Sequence, residues 1–292
     1  MKISGFTIIK NATINDYPIV EAINSILPIV DEMIVLIGDS SDDTEERIRN
    51  IQSEKIKIFN STWDLSLREG GKVLAVETNK AFKLIDPEST WAFYIQADEA
   101  VHEKYLYGII EACKKYKEDL KVEGLLFKYL HFYGTYDFVG DSRKWYHREI
   151  RIIRNDKSIE AYKDAQGFRK GRKKLKVKLI EAFIYHYGWV KSPAQMKRKM
   201  KEIGKYWGGE STNPQEELKP EDFFNYAEFD SLAAFTGTHP AVLQNRIEQK
   251  NWEINFDLSK KRFSFKDKLL YWFEKKTGIR LFDFKNYKII KD

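Results

Sequence analysis

The chain has 292 residues, 42% of them hydrophobic and 32% charged, a length and mixture that suit a full buried core and exclude a disordered or fibrous protein. Its single cysteine, Cys113, excludes an intrachain disulfide and a thiolate metal cluster, and no apolar run approaches the roughly 20 residues that cross a bilayer. The net charge of +6 divides unevenly: residues 1–100 carry 10 Lys+Arg against 17 Asp+Glu, a balance of −7, leaving 40 against 27, a balance of +13, for residues 101–292. Basic excess of that kind suits phosphorylated ligands, anionic lipid surfaces or nucleic acid.

In chain order, the periodicity predicts a strand over residues 3–9. A helix follows over 17–27, with Ile19, Ile23, Ile26 and Leu27 on one face. Next come a strand over 33–37, a helix over 41–51 and a strand over 56–59. A helix over 72–85 carries Leu74, Ala81 and Ile85 on one side and precedes a strand over 91–95. Strands separated by helices of this length predict βαβ units and a mostly parallel sheet. The middle is richer in strands, at 125–132, 149–154 and 182–187. Between the last two, residues 168–178 contain seven Lys or Arg in eleven, which predicts an exposed loop or edge. From Pro193 the pattern turns helical. Met196, Met200, Ile203 and Trp207 form a stripe that predicts a helix docked on the main domain, and 213–220 reads as a polar linker. Near the C-terminus Phe265, Leu269, Trp272 and Phe273 share a helical face, with Lys266, Lys268, Lys275 and Lys276 beside them. A basic amphipathic helix of this kind packs on its own domain or lies on an anionic membrane. The stretch after Lys2 is interrupted by Ser4, Lys10 and Asn11 and is not expected to be a signal peptide, so a cytoplasmic location is expected.

The chemistry concentrates at the turns after the strands. Trp91-Ala-Phe-Tyr-Ile-Gln-Ala-Asp-Glu99 reads as a buried strand whose carboxyl end presents Asp98 and Glu99. Open α/β sheets place ligands there, and two hard oxygen donors suit Mg²⁺ or Mn²⁺ bridging a pyrophosphate. After the second strand, the segment Gly38 to Thr44 combines a tight turn with Ser41 or Asp42 as a helix cap. Gly70, Gly71 and Lys72 open the next helix, where glycines allow close backbone approach and Arg68 and Lys72 can offset phosphate charge.

Taken together and in this order, these turns resemble the nucleotide-sugar half of family-2-type glycosyltransferases with a GT-A fold. Ser40, Asp42 and Thr44 match the turn after that family's second strand, whose leading acid pair falls here on Ile37 and Gly38. The family's Asp-x-Asp metal motif is matched by Gln96-Ala97-Asp98, and its glycine-lysine helix start by Gly70-Gly71-Lys72 with Asn79. The resemblance is strong over the first third of the chain and looser to His186. It implies a GT-A-like, mostly parallel mixed sheet flanked by helices. The glycosyltransferase domain would span residues 1–190, with the nucleotide-sugar region over 1–101 and the acceptor region over 102–190, followed by a mainly helical extension over 191–292. It further implies inverting transfer of a sugar from a nucleotide diphosphate to the hydroxyl of a glycan or lipid-linked acceptor. Asn11, Asp42, Arg68, Gly71, Lys72 and Gln96 would serve the donor; Asp98, Glu99 and His186 would hold a divalent cation (Mg²⁺ or Mn²⁺). The general base would be Asp164, with Asp141 and Glu149 as rivals. Peripheral contact with the inner face of a membrane fits such an acceptor. A nucleotidyltransferase would instead show a Gly-rich loop where Lys10-Asn11-Ala12-Thr13 stands, and a nucleic-acid binder would interleave aromatics with the cations of 168–178. A non-catalytic sugar-nucleotide-binding relative is the remaining alternative, given Gln96 and the missing acid pair.

Overall fold

In the computed structural model, which describes residues 1–67, 69–208 and 218–291, the apolar runs of the N-terminal third become strands buried on both faces. These are β1 (Ile3–Ile9), β2 (Glu32–Gly38) and β4 (Trp91–Tyr94), with β3 (Ile56–Ser61) at the edge. The edge strand alternates half-buried and exposed residues, whereas every residue of β1, β2 and β4 is buried. Between them run α1 (Ile19–Ile26), α2 (Thr44–Arg49) and α3 (Lys72–Lys83). The short β5 (Glu99–Val101) follows, then α4 (Leu106–Lys115), β6 (Gly124–Gly134), β7 (Phe138–Gly140), β8 (Arg148–Arg154), β9 (Ile159–Tyr162), β10 (Gly167–Lys170) and β11 (Lys173–Val190). The remainder holds α5 (Pro193–Gly204), β12 (Leu232–Ala234), α6 (Gln244–Glu248), α7 (Phe265–Thr277) and β13 (Tyr287–Ile289).

The main path of the sheet runs β3-β2-β1-β4-β8-β6-β11-β10-β9. The first four strands are mutually parallel, and β8 enters antiparallel to both β4 and β6. The mixed α/β class expected from the sequence therefore holds. Helices cover both faces because alternate strand residues point to opposite sides. Met33 and Val35 meet Ile19, Ile23 and Ile26 of α1 together with Ile109 and Cys113 of α4. Ile34 and Leu36 meet Val73, Ala81 and Phe82 of α3. On that second face Phe6, Tyr94 and Phe168 pack ring to ring, with Tyr94 and Phe168 edge-on at 5.6 Å. Full burial of each such ring stabilises the fold by about 1.5–3 kcal/mol.

Three expectations need correction. The helix predicted over 41–51 is α2 alone: the Asp42 carboxylate accepts the Thr44 N–H at 3.1 Å in a turn that precedes the helix, and the N-cap is Asp43. The cationic run 168–178, expected as an exposed loop or edge, is not a loop but a β-hairpin toward the end of the sheet: β10 and β11 pair antiparallel around Gly171, whose φ is 57°. Its apolar members, Phe168, Leu175 and Val177, all lie in the core, while Lys173, Lys174 and Lys176 stand in solvent. Strand alternation hides inside what reads as a charge block. The strand predicted over 182–187 is the middle of β11, which pairs with β6, β10, β5 and β13. The predicted linker over 213–220 lies largely outside the described residues.

Candidate active site

At the carboxyl ends of β1 and β4 the sheet opens into a cleft of about 230 Å³, closed on its far side by α5 and the aromatic pair Tyr206-Trp207 that follows it. Its aromatic wall begins where β2 ends. Gly38 carries no side chain, and a Cβ there would stand 2.5 Å from Trp63 Nε1, so the indole lies flat on the backbone. Trp63 packs against Tyr206 at 5.3 Å between ring centroids. Among the described residues its buried Nε1–H has no partner, and the side chain lines the cleft. That nitrogen is turned to the Gly38 backbone, so what the indole offers the cleft is its ring. Lys10, at the end of β1, also lines the cleft and is fixed by Asp39 at 2.7 Å.

The charged floor is built from three elements. Asp98 follows β4, His186 lies on β11 and Lys199 on α5. Asp98 Oδ2 is 3.6 Å from His186 Nε2 and 3.3 Å from Lys199 Nζ. The three meet because Gly188 leaves room: a Cβ there would stand 2.6 Å from Asp98 Oδ2 and 2.8 Å from the His186 ring. Burial alone would raise the Asp98 carboxyl, but His186 and then Lys199 outweigh it and hold the group far below the usual carboxylate range. Behind His186 stands His131, whose Nε2 donates to the Tyr146 carbonyl at 2.9 Å, a tautomer assigned from the acceptor. Burial, and then the neighbouring His186, push the His131 ring well below the ordinary histidine range, so its Nδ1 is left as an acceptor for His186 Nδ1 at 3.2 Å. That chain leaves His186 Nε2 for the cleft.

Beneath the floor lies an ion pair that no sequence motif announces. Arg151, on β8, binds Glu99 through Nε at 2.9 Å and Nη2 at 2.7 Å, and both side chains are fully buried. Arg151 also donates to Tyr129 Oη and the Gln166 carbonyl. Glu99, expected to assist a metal, instead spends its oxygens on Arg151 and the Gln96 N–H. Gln96, where the family motif has its first Asp, presents Oε1 to Arg151 at 3.4 Å, and its Nε2 donates to the Ala165 carbonyl at 3.4 Å. A carboxylate at that position would place a second acid against the pair already formed. The visible signal for Arg151 was a lone cation at an inward position of the apolar strand Ile150-Arg-Ile-Ile153.

A divalent ion fits this arrangement poorly. Asp98 and His186 supply two donors with a lysine ammonium against the same carboxylate oxygen, and among the described residues no group of three or more His, Cys, Asp or Glu side chains could hold a metal.

The expected donor, metal and base residues do not all come together. Gln96 and Asp98 line the cleft, as do His186 and Asp164. Gly71, with φ of 71°, brings the start of α3 against it, since a Cβ there would lie 2.8 Å from Asp164 Cβ and 2.9 Å from Trp207. Asn11 and Asp42 instead hold the fold. Asn11 Oδ1 accepts the Ser41 N–H at 2.9 Å while its Nδ2 donates to Glu202 at 3.0 Å, and Asp42 accepts the N–H groups of Thr13 and Ile14. Lys72 is exposed on the first turn of α3, and Arg68 lies outside the described residues. Of the rival bases, Asp141 is bound by Lys275, Lys261 and Tyr271 of the C-terminal region. Glu149 faces a different cavity, bounded by Gln166 and the C-terminal residues Phe282 and Phe284. Tyr17, Trp63, Lys199 and Tyr206 belong to the cleft and were not anticipated as site residues; isolated aromatics and a lysine inside a basic helix carry no motif.

No protein-family model matches the chain, and no curated protein does. Solved structures similar to it include S. aureus TarS in complex with UDP-GlcNAc, at 16% identity over 70% of this chain and 66% of that one, with a TM-score of 0.41. A second is 4-diphosphocytidyl-2C-methyl-D-erythritol synthase from Anaerococcus prevotii, at 13% identity over 71% of this chain and 95% of that one, TM-score 0.42. A third is glucosyl-3-phosphoglycerate synthase from Mycobacterium tuberculosis with Mn²⁺, UDP and phosphoglyceric acid, at 18% identity over 44% and 43%, TM-score 0.31. The chain spans less than two thirds of the length of TarS structures it matches, 65% in one and 39% in another. At these identities the likeness concerns the course of the chain, not the roles of its residues.

Proposed function

We propose that the chain is a glycosyltransferase that moves a sugar from a nucleotide diphosphate to an acceptor hydroxyl with inversion. The observation that carries this reading is a single cleft at the carboxyl edge of the parallel strands. It joins an aromatic wall of Trp63, Tyr206 and Trp207 to a charged floor of Asp98, His186 and Lys199. Such a wall suits a nucleobase, and the floor suits a diphosphate. Asp164 lines the same cleft and is the proposed base. It takes the proton of the acceptor hydroxyl as that oxygen attacks the anomeric carbon, and the bond to the diphosphate breaks with its electron pair leaving on the phosphate oxygen. The divalent ion expected beside Asp98 does not enter this reading, because the Lys199 ammonium stands against the carboxylate oxygen that the ion would need.

The acceptor is proposed to be a glycan or a lipid-linked glycan met at the inner face of a membrane. Support comes from α7, which is held to the domain by its polar side. Arg143 pairs with Glu274, and Lys275 reaches Asp141 at 2.8 Å. The apolar face points outward, with Phe265 at 87% exposure, Leu269 at 58% and Trp272 at 54%, and Lys266, Lys268 and Lys276 exposed beside it. A helix that only packed on its own domain would bury those residues. Among the described residues no helix is long and apolar enough to cross a membrane.

The deciding experiment is thermal stabilisation and turnover across a panel of nucleotide-sugars. One donor that raises the melting temperature and is consumed with release of nucleoside diphosphate supports the reading. Release of pyrophosphate from a nucleoside triphosphate would make the chain a nucleotidyltransferase, and binding without turnover a sugar-nucleotide receptor.

A further inference from the structure

Lys199 is placed where the chemistry calls for a cation. Its Nζ donates to the Gly188 carbonyl at 2.8 Å and to Asp98 Oδ2 at 3.3 Å. An ammonium has three N–H donors, so among the described residues one is left over, and the side chain lines the cleft. The side chain is only 9% exposed and its ammonium sits 4.8 Å from the centre of the Tyr17 ring, which adds a second favourable surface for the charge. A lysine is kept that far from water only when paired, and its partner here is the carboxylate a divalent ion would need. Ammonium and metal would compete for the same oxygen. The neighbouring acid cannot arbitrate, since Glu99 is locked to Arg151.

We propose that the Lys199 ammonium meets the donor's diphosphate in place of a divalent metal, with Asp98 as the residue that positions it. The proposal rests on the reading of the cleft as a nucleotide-diphosphate site. As the bond between the anomeric carbon and the diphosphate oxygen breaks, the electron pair stays on that oxygen. The free N–H of Lys199 donates to it and its charge offsets the one that develops, with no proton transferred. Gly188 and Asp98 fix the ammonium beforehand, so little reorganisation accompanies the step.

Calorimetric titration of UDP and of inorganic pyrophosphate, each with chelator and with excess Mn²⁺, tests this. Wild-type protein is expected to bind both probes equally well in either condition and to leave the electron-paramagnetic spectrum of free Mn²⁺ unchanged. Lys199→Gln, which keeps a donor for the Gly188 carbonyl but no charge, should weaken both probes roughly tenfold to a hundredfold. Lys199→Arg should restore most of that loss, and a melting curve on each variant separates lost affinity from lost fold. The wild-type comparison needs no variant at all. UDP that binds only with Mn²⁺, with an immobilised Mn²⁺ signal abolished in Asp98→Asn, would overturn the proposal and leave the glycosyltransferase reading standing. Unchanged affinity in Lys199→Gln would overturn it too. Absence of binding by either probe in every condition would remove the donor-site reading and this proposal together.

Discussion

At the scale of single residues, the buried Arg151–Glu99 pair and the isolated Glu149 show opposite uses of a charge in the core. The pair is satisfied on both sides, so removing one partner strands the other without water. Glu99→Gln or Arg151→Met is expected to lower stability by about 3–5 kcal/mol, read from denaturant unfolding, whereas a surface pair such as Glu45–Arg49 should contribute less than about 1 kcal/mol. Glu149 is the reverse case. Burial, only partly offset by Arg151, pushes its carboxyl from the ordinary 4.5 up to about 8, and among the described residues its Oε2 has no partner. Between about pH 5 and pH 8 the folded chain therefore keeps a proton that the unfolded chain has released, and stability falls as pH rises through that window. Glu149→Gln should lose less stability than wild type between pH 5.5 and pH 8.5. Parallel losses in the two proteins would show that some other group titrates.

At the scale of elements, glycines decide where the cleft can exist. The start of α3 passes Asp164 and Trp207 only because Gly71 has no Cβ and takes a left-handed φ. Gly71→Ala should cost about 1–2 kcal/mol from the backbone alone and should also weaken donor binding, by displacing Asp164. Both readouts are needed, since strain without displacement would lower the melting temperature and spare affinity. Helix α7 makes a different forecast. Its outward apolar residues contribute almost nothing to folding, so Phe265→Ser with Trp272→Ser should leave melting within a degree or two. The same change should abolish co-sedimentation with anionic vesicles at low salt. Equal binding by the double variant would dismiss the membrane-facing role.

At the scale of the whole molecule, what could be read from the sequence was the portion governed by period. Ile3 to Tyr94 alternates apolar runs with amphipathic stretches, and the order of strands and helices follows those patterns, although the helix predicted over 41–51 shortens to Thr44–Arg49. The motif residues were half legible. Asp98 and His186 do meet in the cleft, because a strand end and a strand interior leave few other places for them. Asp42 and Asn11 belong to turns that need internal hydrogen bonds, and nothing local separates a turn-building acid from a ligand-binding one. The roles of Lys199 and Arg151 were illegible for a related reason, even though Arg151 stands out as a cation within an apolar strand: each takes its role from a partner 101 or 52 residues away, a distance at which sequence carries no spacing signal. The basic hairpin at 168–178 misled because seven cations outweighed the three apolar residues that decide its burial.

The lone cysteine has a practical consequence. Cys113 is wholly buried in the layer between α4 and the sheet, and burial alone drives its thiol up to about 12. It has no route to solvent short of opening that layer, and thiolate is the form that reacts with disulfide reagents. Modification by such a reagent should therefore be slow and should speed up in step with denaturant-induced unfolding, reaching one label per chain. Rapid labelling of native protein would mean that α4 opens on its own. The chain thus carries a built-in clock for its own opening, with no residue to add and none of the cleft disturbed.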